Sequence, residues 1–354
     1  MTKWLDHTKD ERIAMIQAVS GEKNIEDNAV EKDWWVTIVL KALFNTSCGS
    51  YLLFKGGTSL SKGWDLIARF SEDIDISINR DFFLDKLELE CAKCENNNQL
   101  KNLRRASRDY IHGTLSDNLN NELIKLGVTG YTIENVTTTG NPPKDIDHDA
   151  DPTVISVNYE SLFPSSMRLI EPKVKIEISC LSMAEPFEEK QITSLVYDKY
   201  PDFDDEAQIV IKTVTPSRTF IEKALLLNEE FQKETPRSMR MSRHMYDLKK
   251  IMDTEYGKKA LNDGNLYKAI VEHRRKFYHL GYVDYDKDYP SQVDFIPKGN
   301  LLKAYENDYK DNMVDGYIYD DAKSFNIILA RMHELLERFR KVKIDDNIVE
   351  TEPQ

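Results

Sequence analysis

From Ser71 to Asn79 the chain reads SEDIDISIN, and strict alternation of this kind is the pattern of a half-buried β-strand. Successive strand side chains point to opposite faces. Ser71, Asp73, Asp75 and Ser77 therefore share one face, and Ile74, Ile76 and Ile78 the other. The isoleucines can anchor the strand in a core, which leaves both carboxylates on the opposite surface. Ahead of this strand, YLLFKGG reads as a short apolar strand ending at Gly56 and Gly57, and SLSKGWDLIARF as a helix starting where the glycines stop. Strand, glycine turn, helix and acidic strand follow one another with little chain between them.

That order has a chemistry. Residues i and i+2 of a strand lie about 6.5–7 Å apart, near enough for flexible carboxylates to converge on a cation. Mg²⁺ (or Mn²⁺) takes oxygen ligands, and Mg²⁺ keeps several waters, so one or two carboxylates plus substrate phosphates suit it. Two metals held this way stabilise both the attacking and the leaving oxygen of a phosphoryl displacement. Gly56 and Gly57 let backbone N–H groups approach a phosphate, and a helix N-terminus adds favourable partial charge. Thr58 and Ser59 are placed to cap the helix and donate hydroxyl hydrogen bonds. Lys62, one turn after Thr58, is a further candidate for phosphate contact, and Arg69 either contacts phosphate or pairs with a nearby acid. Taken singly, a glycine pair is commonly structural and a D-x-D strand can be a charged edge that resists aggregation. The combined order carries the reading: a nucleoside triphosphate against Gly56–Ser59, and a metal on Asp73 and Asp75.

The chain has 354 residues, enough for two domains, with 40% apolar and 31% charged residues, the balance of a soluble globular protein. No run of about 18 apolar residues marks a transmembrane helix, and MTKWLDHTKDERIAMIQ lacks the apolar stretch of a signal peptide. A cytoplasmic protein without a membrane partner is expected. The net charge of −13 argues against broad, sequence-independent binding of duplex DNA. It leaves room for a local basic groove built from LRRASR (Arg104–Arg108), RSMRMSRH (Arg237–His244) or EHRRKFYH (Arg274–His279), each of which is more commonly a solvated helix face. Cys91 and Cys94 have C-x-x-C spacing, but Cys48 and Cys180 stand alone, so no second pair completes a zinc site.

Helical periodicity marks KDERIAMIQAVS and EDNAVEKDWWVTIVLKALFN before the motif, and a charged helical stretch from about 83 to 126 after it. TGYTIENVTTT, VISVNYES and KVKIEISC read as strands, with a loop at NPPKDIDHDADP. Glu185 to Gln208 reads as irregular and acidic. From Ser217 onward the helical signal dominates. The composition shift near Pro216 predicts a mixed α/β domain over 1–215, with a helical insertion near 83–126, and an all-helical domain over 216–354. The tail IDDNIVETEPQ reads as disordered at its end.

The stretch KGGTSLSKGWDLIARFSEDIDISI resembles the nucleotidyltransferase signature of the AbiEii/AbiGii-type abortive-infection toxins, of the DNA polymerase β-like nucleotidyltransferase superfamily. The resemblance spans the order of motifs from about Lys55 to Asp247. It implies an α+β fold: a small mixed sheet with a Gly-rich turn and a D-x-D strand, followed by a helical region. It implies a third carboxylate on a later strand, for which Glu177 in KVKIEISC is the match, sharing a face with Lys175 and Ser179, either as a metal ligand that helps hold a second ion or as the base that deprotonates the acceptor hydroxyl; aspartate is more usual there. It also implies a nucleotide-contacting lysine, matched by Lys223 in RTFIEKALLLNEE, and an aspartate supporting the site or positioning that lysine, matched by Asp247 in RHMYDLKKIMD. Arg218 and Arg243 precede these two and are weaker candidates. The implied activity is metal-dependent transfer of a nucleoside monophosphate from an NTP to an acceptor hydroxyl by a toxin. A tRNA 3′ end is one acceptor class, and a cognate antitoxin is the partner. A nucleotide-binding regulator without turnover, or transfer to a small molecule or a protein, stays open as an alternative.

Overall fold

The computed structural model describes residues 3–71, 73–163, 170–204 and 207–344. The expectation for the C-terminal tail therefore falls, apart from Ile344, outside the described residues. The chain forms two compact units. One comprises Met1–Asp65 with Phe70–Val214, the other Leu66–Arg69 with Thr215–Gln354.

The first unit is built on a seven-stranded mixed sheet. Its strands are β1 (Leu52–Lys55), β2 (Asp73–Ile78), β3 (Tyr131–Asn135), β6 (Thr153–Tyr159), β7 (Lys173–Ser179), β8 (Phe187–Thr193) and β9 (Gln208–Val214), while β4 (Thr138–Thr139) and β5 (Lys144–Asp145) form a separate two-stranded ribbon. The spatial order is β3-β6-β7-β2-β1-β9-β8. β2 pairs parallel with β7 and β1 parallel with β9; the other neighbours are antiparallel. This places the acidic strand β2 at the centre.

One sheet face is apolar. Ile74, Ile76 and Ile78 of β2 and Val174, Ile176 and Ile178 of β7 are all fully buried. Helix α1 (Lys9–Lys23) opens with a capping box, Thr8 accepting from the Glu11 backbone while Glu11 accepts from the Thr8 N–H at 2.7 Å. Helix α2 (Asp27–Phe44) carries WWVTIVLKALF and buries most of its circumference, as expected of a helix apolar all round. Trp35 stacks on Tyr159 of β6 at 4.7 Å and 12° between planes, and Trp34 Nε1 donates to the buried Asp204 carboxylate at 2.7 Å.

Several elements depart from the sequence reading. The helix after β1 is α3 (Gly56–Lys62): it includes the glycines and stops at Lys62 instead of running to Phe70. Asp65 adopts a left-handed backbone (φ 50°), which a continuing helix does not tolerate. The acidic stretch read as irregular contains β8 and the short helix Leu195–Lys199. β8 is an edge strand, FEEKQIT, whose charged residues hide the alternation and protect an open sheet edge. The charged stretch 83–126 holds the helices Asn97–Tyr110 and Ser116–Lys125 joined by a π-helical turn.

The second unit is helical from Pro216 on. Its main helices span Pro216–Glu230, Ser242–Ile251, Glu255–Asn262, Gly264–His273, Gly299–Asp308 and Phe325–Phe339. Pro216 occupies the first helical turn, where its missing N–H costs nothing. Phe220, Tyr267 and Phe295 surround Phe339 in the core, their ring centroids 5.2–6.0 Å from its own. Arg69 bridges to Ile318 in this unit. No helix among the described residues is long and apolar enough to cross a membrane.

Candidate active site

On the face opposite the isoleucines, sheet register collects the charged residues. Asp73 and Asp75 are half-buried, alternating with fully buried Ile74 and Ile76. Asp75 lies opposite Lys55 across β1–β2 and opposite Glu177 across β2–β7, so Lys55, Asp75 and Glu177 form one rung across three strands. Asp73 lies opposite Lys175. Glu177 forms an ion pair with Lys175 on its own strand, both side chains partly exposed (26% and 37%). Lys55 and Lys175 were not singled out in the sequence. Their signal is present only as lysines in K-G-G and K-x-E, and register turns it into neighbourhood.

The glycine turn is shaped around Asp75. Gly56 has φ +77°, and a Cβ there would lie 2.0 Å from Asp75 Oδ2. The backbone after β1 thus passes directly against the carboxylate, which only glycine permits. Thr58 donates its hydroxyl hydrogen to the Asp73 carbonyl, and Ser59 donates to the Gly56 carbonyl at 2.9 Å. Both are buried (2% and 0% exposed). They brace the turn onto β2, and neither is the expected helix cap: the residue ahead of the helix is Lys55, without a side-chain cap. Lys62 forms a part-buried ion pair with Asp33 Oδ1, and Asp33 Oδ2 accepts from the Leu195 N–H at 2.7 Å. Lys62 therefore ties α3 to α2.

Arg69, Lys223 and Asp247 come together in the second unit. Asp247 is fully buried on the helix Ser242–Ile251 and accepts from Arg69 Nε and Nη2, both at 2.7 Å, in a bidentate pair. Lys223 on the helix Pro216–Glu230 places Nζ 2.9 Å from Asp247 Oδ2. Burial alone would raise the Asp247 pKa, but Arg69 and Lys223 hold its carboxyl well below the usual carboxylate range. Burial lowers the Lys223 pKa, with Arg69 and Arg243 adding repulsion against the pull of Asp247. His244, one turn before Asp247, is kept neutral by burial and by the neighbouring Lys223 and Arg243 charges. Of the pair of weaker candidates, Arg218 is fully buried and its Nε donates to Glu222 at 2.9 Å.

In each basic stretch one arginine is paired with a carboxylate: Arg104 with Asp149, Arg237 with Glu230, and Arg274 with Glu229 in a buried bidentate pair. A cavity of about 240 Å³ in the first unit, lined by Trp4, Arg12, Glu31 and Trp34 among others, includes none of the motif residues. Among the described residues no three His, Cys, Asp or Glu side chains are grouped as a metal site; Glu177 is turned to Lys175. Asp73 and Asp75, on one strand face with the Gly56 backbone against Asp75, are nevertheless the oxygen-donor pair a hard divalent cation takes alongside phosphates.

The fold has a relative of known structure. MenT4, a nucleotidyltransferase toxin from Mycobacterium tuberculosis H37Rv, superposes with a TM-score of 0.52 at 16% identity, over 93% of this chain and 90% of that one. No curated protein matches the sequence. The family model described as nucleotidyl transferase AbiEii toxin, type IV toxin–antitoxin system, matches residues 38–331, which takes in both units and every motif above. The chain belongs to the AbiEii nucleotidyltransferase toxin family of type IV toxin–antitoxin systems.

Proposed function

We propose that this nucleotidyltransferase moves a nucleoside monophosphate from an NTP to the 3′ hydroxyl of a tRNA, in the cytoplasm, with Mg²⁺ as the cofactor and an antitoxin as the regulating partner. The observation that carries the reading is the glycine turn packed against Asp75 on a sheet face shared with Asp73 and Glu177. The backbone of Gly56 and Gly57 receives the phosphates, held in place by the Thr58 hydrogen bond to β2 and the Ser59 hydrogen bond within the turn. Asp73 and Asp75 would hold the metal, whose bound charge offsets that of the triphosphate.

The acceptor oxygen forms a bond to the α-phosphorus while the bond to the β-bridging oxygen breaks and pyrophosphate departs. Glu177 takes the hydroxyl proton, with the Lys175 ammonium paired to its carboxylate. Lys223 is assigned to the nucleotide phosphates, the role the resemblance implies. Asp247, with Arg69, positions its ammonium. Lys62 and Arg69 act through the ion pairs in which they are found.

The test is transfer of label from each α-³²P nucleoside triphosphate, with Mg²⁺, to total RNA and protein, beside an Asp73→Ala/Asp75→Ala control. Label on tRNA that disappears in the control is the expected result. Label on protein or on a small molecule would reject the tRNA acceptor, and NTP binding without transfer to any acceptor would favour a regulator.

A further inference from the structure

We infer that Lys175 is a built-in cation occupying the place of a second metal, so that the enzyme works with a single divalent ion on Asp73 and Asp75. The inference rests on the metal-dependent reading above and refines it. Three carboxylates lie on one sheet face: Asp73, Asp75 and Glu177. Asp75 and Glu177 are direct cross-strand neighbours in a parallel pair, an arrangement that like charges oppose. A second divalent ion between them would relieve that repulsion. The structure relieves it with a lysine instead.

Lys175 is the cation that the sheet register places beside these acids. It lies opposite Asp73 across β2–β7 and two residues before Glu177 on the same face. Its ammonium is on Glu177 Oε1. Lys55 lies on the other side of Asp75, across β1–β2, so each strand flanking β2 places one lysine opposite one of its aspartates. The face carries its own positive charge in register with its acids. An ammonium on Glu177 also differs from a metal in chemical effect. It balances the carboxylate's charge without occupying it as an inner-sphere ligand.

The proposal is tested by counting bound Mn²⁺ on the full chain from the electron paramagnetic resonance signal of free Mn²⁺, without nucleotide. Wild type is expected to bind one ion, and Asp73→Asn/Asp75→Asn to lose it. Lys175→Met is expected to gain a second ion, bound at least tenfold tighter than any second ion of wild type. Lys175→Arg, which keeps the charge, is expected to behave as wild type, and Lys175→Met/Glu177→Gln to lose the gained site. Two equally tight ions on wild type, or an unchanged titration in a Lys175→Met protein with an unchanged melting temperature, would overturn the inference. If Lys175→Met unfolds, Lys175→Gln replaces it, with the same expected gain and the same refuting outcome. One Mn²⁺ that survives Asp73→Asn/Asp75→Asn would instead reject the metal site beneath it, a result separate from any effect at position 175.

Discussion

Gly56→Ala tests the geometry of the candidate site with a single methyl group. The added Cβ would stand 2.0 Å from Asp75 Oδ2, 2.6 Å from Cγ and 2.8 Å from Cβ of the same residue. Contacts between unbonded carbon and oxygen need more than about 3 Å, so the Asp75 carboxylate must move by about 1 Å or the turn must shift. Displacements of that size at a reacting centre cost about 100-fold in rate. The backbone penalty is separate: alanine at φ +77° costs on the order of 1 kcal/mol. Gly140→Ala separates the two effects. Gly140 also has a positive φ, +81°, but its nearest neighbour is the Pro142 carbonyl oxygen at 3.6 Å. Both variants should lose a few degrees of melting temperature, while only Gly56→Ala should lose about 100-fold in the initial rate of label transfer. Full activity in a folded Gly56→Ala protein, or equal losses in the two variants, would show that the turn does not position Asp75.

Asp247→Asn leaves one oxygen where Arg69 and Lys223 share two, and breaking a buried ionic cluster costs about 3–5 kcal/mol, measured by urea unfolding; a loss below about 1 kcal/mol would reject the argument. Because the folded-state pKa of Asp247 is depressed, its contribution is present above the ordinary carboxylate value of 3.8 and is lost as pH falls below it, a loss that Asp247→Asn should lack. Asp288 is the opposite case. It is fully buried, accepts from Asn228 Nδ2 at 2.7 Å through Oδ1, and burial together with the nearby Glu229 pushes its pKa up to about 8. A raised folded-state value means that stability is full below about 4 and falls as pH rises to about 8. Asp288→Asn keeps the Oδ1 acceptor, removes that slope, and should be more stable than wild type at pH 8.5 by about 1 kcal/mol or more in thermal unfolding. A variant less stable than wild type at that pH would refute the assignment of the proton.

The sequence showed the parts of the sheet whose residues alternate and hid those whose partners are remote. SEDIDISI and KVKIEISC display their faces because each buries its apolar side and leaves the other to charge. FEEKQIT shows no such contrast, since an edge strand exposes most of its side chains. QIVIKTV is strand-like in composition, yet it follows an acidic stretch and precedes the helical half, where no local feature announces a seventh strand. The ends of the candidate site were legible as residue types. Its register was not, because whether Asp75 faces Glu177 or its neighbour depends on pairing across the chain from β2 to β7. Arg69 illustrates the limit. It lies in the motif, and its partner Asp247 is 178 residues away, so nothing near either residue reports the pair.

The sheet face also explains why these acids do not cost the protein its fold. Carboxylates about 5–7 Å apart repel by about 2–3 kcal/mol at an effective dielectric near 20, and a central strand cannot turn them away without turning its isoleucines out of the core. The apolar face therefore fixes the acids in place, and compensation has to come from the neighbouring strands. β1 and β7 supply it at the positions directly across from Asp75 and Asp73. The same constraint applies to Thr58 and Ser59. Their hydroxyls hold the turn onto Asp73 and Gly56, so the Gly56 backbone and the Asp75 carboxylate are set against each other by buried contacts before any substrate arrives. Stability and preorganisation draw on the same few residues here, which is why a change at Gly56 should cost far more activity than its unfolding free energy would suggest.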